Sequence, residues 1–165
     1  MNASGTVTQC YSTSTVIGDE SIGGLMGENV YGGSATHCYA AGVVSGDERV
    51  GGLVGSNGFL GGSVFQCYST GAVSGSKYVG GLVGSRHPYS GAVTGCFWDT
   101  QTSGQAESDG GTGKTTAEMQ TANTFLEASW DFVRETANGT EHLWWILEGK
   151  DYPRLWWEAG DEASP

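Results

Sequence analysis

From Val7 to Phe97 the apolar residues come mostly singly or in pairs, with Cys38-Tyr39-Ala40-Ala41 a longer run, and are closed off within a few positions by glycine, serine or threonine. No stretch of this region keeps the i, i+3, i+4 spacing of an amphipathic helix, so its short β-branched runs read as brief strands. The pattern recurs along the chain. Cysteines stand at 10, 38, 67 and 96, in steps of 28, 29 and 29 residues. Gln9-Cys10-Tyr11-Ser12-Thr13 aligns with His37-Cys38-Tyr39-Ala40-Ala41, Gln66-Cys67-Tyr68-Ser69-Thr70 and Gly95-Cys96-Phe97-Trp98-Asp99. A second block follows the first three cysteines: Ile22-Gly23-Gly24-Leu25-Met26-Gly27, Val50-Gly51-Gly52-Leu53-Val54-Gly55 and Val79-Gly80-Gly81-Leu82-Val83-Gly84. Its second glycine always lies fourteen residues after the cysteine, so the slack in the period falls in Glu28–Ser34, Ser56–Ser63 and Ser85–Ala92. Those segments, with Asn57-Gly58 and His87-Pro88, read as loops.

A constant period of this length with no helical signal predicts an all-β fold, a short β-solenoid of about three coils of 28–29 residues. Coils ~4.8 Å apart would stack like on like. The expected rows are Cys10, Cys38, Cys67 and Cys96; Leu25, Leu53 and Leu82; and Val16, Val44 and Val73. The glycines are expected to serve tight corners and positive φ. Strand parity leaves one question open. Val7, Ala35, Val64 and Val93 share a face with the aromatic after each cysteine, and the cysteine takes the other face. One of these rows is outside unless the chain bends there.

After Phe97 the chain changes character, which places the division between residues 1–96 and a capping module at 97–165. All six tryptophans lie beyond that point, as do thirteen of the eighteen acids, with only seven of the 29 glycines. Thr115–Ala128 reads as a short helix with Thr115 or Thr116 as N-cap and Met119, Phe125 and Leu126 as apolar contacts. Ser129–Val133, His142–Leu147 and Tyr152–Trp156 read as extended segments. A stack of coils needs such a module because its last coil leaves backbone unpaired and apolar surface uncovered. The other end starts within a repeat, which reads as an excised fragment or as a subunit whose open end another chain meets.

The recurring Gly-Gly-Leu-Val-Gly and Cys-Tyr-Ser-Thr-Gly-x-Val-Ser-Gly blocks resemble the GLUG-motif repeats of bacterial and archaeal surface and secreted proteins, over about residues 5–98. The order Phe97-Trp98-Asp99, Thr116-Ala117-Glu118-Met119, Trp130-Asp131-Phe132, Trp145-Ile146, Glu148-Gly149 and Tyr152-Pro153-Arg154-Leu155 is similar to the ending of many such arrays. The resemblance implies a β-solenoid in an exported, extracellular or cell-surface, adhesin-like protein, here the C-terminal end of the array. It implies no catalytic residue.

A net charge of −11, with no cluster of Lys or Arg, excludes a nucleic-acid partner. No apolar run approaches the ~20 residues of a membrane span. The function expected is therefore structural or adhesive, without catalysis. Its partners are neighbouring repeats of a longer chain or identical subunits, and surface polysaccharide is a further candidate. Two alternatives stand beside it: a filament subunit joined head to tail through the open end, and a carbohydrate-binding module. The module would use Trp144, Trp145, Trp156 and Trp157, since indole faces stack on sugar rings and a doublet in an extended chain puts one ring on each side.

Other candidate chemistry has a plainer reading. Gly110-Gly111-Thr112-Gly113-Lys114-Thr115-Thr116 approaches a phosphate loop, but the required first glycine would fall at Ser108, leaving a glycine-rich loop at a helix start. The four cysteines lack the local pairing of a zinc site and read as free buried thiols. Asp99, Glu107 and Asp109 are oxygen donors suited to Ca²⁺, yet match no calcium loop and read as solvated surface acids, so no cofactor is expected. Asp19-Glu20 and Asp47-Glu48 are equivalent, but Ser76-Lys77 replaces them in the third repeat, so they do not form the carboxylate pair of a glycosidase. Asn2 and Asn138 head glycosylation sequons.

Overall fold

The computed structural model describes residues 1–60, 62–134 and 137–158. They divide into two compact units, Met1–Lys114 and Thr115–Pro165. No helix among the described residues is long and apolar enough to cross a membrane.

The first unit is a β-solenoid of about three stacked coils. Each coil carries five short strands. In the second these are Ser34–Thr36, Tyr39–Ala40, Val44–Ser45, Glu48–Gly51 and Val54–Asn57. Each pairs in parallel with its counterparts above and below, so the sequence rows become ladders. Val7 stands opposite Ala35, Ala35 opposite Val64 and Val64 opposite Val93. Val16, Val44 and Val73 form a second row, and Met26, Val54 and Val83 a third. The main core holds Ala35, Cys38, Leu53, Val64, Cys67, Leu82, Cys96 and Trp98, and a smaller column holds Val44, Val50 and Val73.

The question of parity is settled at the residue before each cysteine. Gln9, His37 and Gln66 have φ of 49°, 54° and 48°, and Gly95 has 60°. A single left-handed residue turns the chain, so that Ala35 and Cys38, three positions apart, both point inward and are fully buried. The aromatic ladder follows: Tyr11 stacks on Tyr39 with centroids 5.0 Å apart, and Tyr39 on Tyr68 at 4.9 Å.

The glycine block has a different reason from the one expected. Positive φ falls on Ser21, Arg49 and Tyr78 instead, and not on Gly23, Gly51 or Gly80. Those glycines are required by close approach: a Cβ on Gly23 would lie 2.6 Å from the Gly55 amide nitrogen in the next coil. Backbone meets backbone there, and no side chain fits between.

In the second unit, Thr116–Met119 is a short helix, α2, following α1 at Thr100–Ser103 in the first unit. Thr115 caps α2 in a capping box with Glu118. The single helix expected over Thr115–Ala128 is broken, and α3 covers only Ala122–Leu126. Thr121 is extended at the break, where its Oγ1 donates to the Ala117 carbonyl at 2.8 Å and Glu148 Oε2 accepts from Ala122 N at 2.8 Å. Extended structure is shorter than expected: Phe132 makes one bridge to Trp144, and Trp144–Trp145 pairs antiparallel with Arg154–Leu155. Phe125, Trp130 and Trp144 form the buried aromatic centre, with ring centroids 4.8 Å and 4.4 Å apart.

Candidate functional site

Three features of the molecule are built rather than incidental: the lid on the last coil, the polar ladders within the stack, and a cleft in the second unit.

The lid begins where the repeat changes one residue. Two positions after the cysteine stand Ser12, Ala40 and Ser69, and then Trp98. Ala40 and Ser69 are small enough to lie against Gly24 and Gly52 of the coil before, and the Trp98 indole lies against Gly81 in the same way. Trp98 Nε1 donates to the Gln105 carbonyl at 3.0 Å, and Thr112–Lys114 pairs on Phe97–Asp99 only fifteen residues later instead of a full coil. Ser108 completes the closure. Within the stack, the amides of Leu53 and Val54 both donate to the Leu82 carbonyl, at 2.9 and 3.0 Å. At the end of the stack the amides of Leu82 and Val83 donate to Ser108 Oγ at 3.2 and 2.9 Å, so one hydroxyl stands in for the missing carbonyl.

One of the three acids near this lid departs from the reading as solvated surface acids. Asp99 is fully buried and caps α1, accepting from Gln101 N at 2.8 Å and Thr102 N at 3.1 Å. Asp109 is exposed, but its Oδ2 accepts from Arg86 N at 2.6 Å, whereas Glu107 is exposed with its carbonyl accepting from Gly81 N. Among the described residues, no group of three His, Cys, Asp or Glu is placed to hold a metal ion. In the stretch resembling a phosphate loop, Thr112 N is already spent on the Cys96 carbonyl at 2.9 Å and Thr115 caps α2.

The cysteines are free, with Cys10 exposed and Cys38, Cys67 and Cys96 buried. They do more than fill space. Cys38 Sγ, Cys67 Sγ and Cys96 Sγ each donate to the carbonyl two residues earlier at 3.2 Å. Cys67 Sγ and Cys96 Sγ also accept from the amide of the cysteine one coil earlier at 3.4 Å. Burial pushes the Cys67 thiol well above its ordinary pKa, and a smaller desolvation raises that of Cys10. Leu53 and Leu82 are fully buried in the core, whereas Leu25 is half-buried.

A second polar ladder escaped the sequence reading. Asn2 Nδ2 donates to Asn29 Oδ1 at 3.0 Å, and Asn29 Nδ2 to Asn57 Oδ1 at 3.1 Å, with Asn29 and Asn57 fully buried. Asn57 had read as a turn residue. Its signal was the spacing from Asn29, one coil period. Asn2 therefore holds its amide nitrogen within the stack, and Asn138 Nδ2 donates to the Leu126 carbonyl at 3.0 Å; a glycan on either nitrogen displaces these bonds. The equivalent acids Glu20 and Glu48 both pair with Arg49, and Lys77 meets Glu48 at 3.4 Å, so this corner is a ladder of alternating charge.

The tryptophan doublets behave differently from one another. In the extended pair Trp144 faces in and is fully buried, which removes it from any sugar surface, while Trp145 is half-exposed. Trp156 and Trp157 begin a 3-10 turn instead of continuing the strand, so both are exposed and Leu155 takes the buried place. Beside Trp145 lies a cleft of about 270 Å³, lined by Ala122, Leu126, Phe132, Val133, Arg134, Trp145 and Ile146. Ala122 and Leu126 lie four apart on one side of α3.

A family model described as the GLUG motif matches residues 46–74. The chain carries a GLUG motif. On the structure this match runs from just before the strand Glu48–Gly51 to the end of Val73–Ser74, one full turn of the solenoid. No curated protein and no solved structure matches the chain.

Proposed function

We propose that this GLUG solenoid is a structural, adhesive segment of an extracellular or cell-surface protein, with no catalysis and no cofactor of its own. The observation that carries the reading is the in-register stack itself, built from parallel strand pairing and rows of buried apolar side chains. Its last coil is closed by Trp98 and Ser108. A stack of like coils closed by its own lid suits a structural role. The lid weighs against the head-to-tail filament, because a docking subunit would meet amides already bonded to Ser108. Pairing of the corner acids with Arg49 and Lys77 supports a structural rather than hydrolytic role for them.

Antibody labelling of intact source cells, before and after protease treatment from outside, tests the location. Labelling lost to protease is expected, and labelling that requires permeabilised cells overturns the reading. A second reading, sugar binding, is favoured by the half-exposed Trp145 beside its cleft.

A further inference from the structure

The cleft beside Trp145 is lined by apolar side chains and one charged group. Leu126, Phe132, Val133 and Ile146 join the Trp145 indole in an apolar lining, and the one charge among the lining residues is the Arg134 guanidinium. Its volume of about 270 Å³ lies just below the usual range for drug-sized ligands, which suits a single ring. Arg134 is exposed, makes no ion pair among the described residues, and holds φ at 68°, a conformation costly for a side chain of its size. Such strain persists where the surroundings fix it, as the Val133 amide does here by donating to the Trp144 carbonyl at 2.8 Å.

Together these features select a ligand with a ring face for the indole and a carboxylate for the guanidinium fork. We propose that the cleft binds one carboxylated sugar, a uronic acid residue, with Trp145 as the stacking wall and Arg134 as the carboxylate partner. The net charge of −11 opposes a dense polyanion at long range, so the fitting glycan carries its uronic acid singly among neutral sugars. This deepens the sugar-binding reading above. Its failure leaves the surface location standing, since that is tested by cell labelling alone.

The test titrates the full chain with glucuronic acid, galacturonic acid, their carboxamides, glucose and benzoate, following tryptophan fluorescence and calorimetric heat. Saturable binding of a uronic acid is expected, about tenfold tighter than its carboxamide, the scale of one charge-assisted hydrogen bond. Arg134→Gln, at an exposed position, should abolish that preference while neutral sugars bind as before. Trp145→Ala should weaken acid and amide alike, and Trp156→Ala should change neither. No saturable binding by any of these sugars overturns the proposal, as does equal affinity for acid and carboxamide, or a preference that survives Arg134→Gln. Tighter binding of benzoate than of either uronic acid overturns the sugar class in favour of a flat aromatic carboxylate.

Discussion

Leu53 and Leu25 occupy the same position in successive coils, yet one is fully buried and the other half-exposed. Leu53 has a coil on each side, whereas Leu25 is followed by Leu53 and has no described coil before it. Cys38 and Cys10 differ in the same way. In a stack, burial is set by the number of neighbouring coils and only secondarily by the residue. The far end makes the point from the other direction: Leu82 has no further coil beyond it, and the lid buries it as completely as Leu53.

The strongest way to break this comparison is to remove the lid. Deleting residues 97–165 should leave an aggregating or unfolded chain, and a soluble remainder with a cooperative thermal transition would refute the role of the lid. A smaller effect is expected from single truncations. Trp98→Ala should destabilise the protein by about 3–5 kcal/mol and Leu53→Ala by about 2–5 kcal/mol in urea titrations, with Leu25→Ala well below both. Equal losses at Leu25 and Leu53 would mean that neighbours do not set the contribution. Ser108→Ala deprives the Leu82 and Val83 amides of their acceptor and should cost about 1–3 kcal/mol, most of it regained by Ser108→Thr.

Alkaline pH sharpens the contrast further. Burial raises the Cys67 pKa in the folded chain, so its stabilising effect is complete below the unfolded thiol value of about 8.5 and is lost as pH rises above it. Melting temperature should therefore fall between neutral and alkaline pH, and Cys67→Ala should flatten that fall even though it lowers stability at neutral pH. A fall of undiminished size in the variant would remove Cys67 as its cause. The smallest effect belongs to the open end. Cys10→Ser should change stability by less than about 0.5 kcal/mol, and in the native chain iodoacetamide should label Cys10 while sparing Cys67.

Much of the solenoid was legible because its signal is repetition. The period and the rows of valine, leucine and cysteine follow from comparing the chain with itself. What escaped was carried by residues whose role lies in the coil next door. Gln9, His37 and Gln66 are ordinary polar residues, and nothing local marks them as the left-handed corner that brings two rows inward. Asn57, followed by glycine, has the look of a turn, and its amide is recognisable as a ladder member only beside Asn29. The second unit lacks a period altogether. Its helix breaks at Thr121 because the chain near Glu148 supplies a cap, and Trp156 starts a 3-10 turn instead of ending the extended segment expected over Tyr152–Trp156. The cleft was visible only as one of its members, Trp145, since Arg134 and Leu126 are brought to it from separate segments.

The sequence by itself determined the coil, its period and its stacking partners, because a repeated pattern reports on neighbours that are copies of itself. Only the tertiary structure decided which way each row faces, why the glycines are glycine, how Ser108 replaces a carbonyl and which tryptophan meets solvent. Those outcomes depend on the closest approach of segments distant along the chain, and no periodicity encodes that distance.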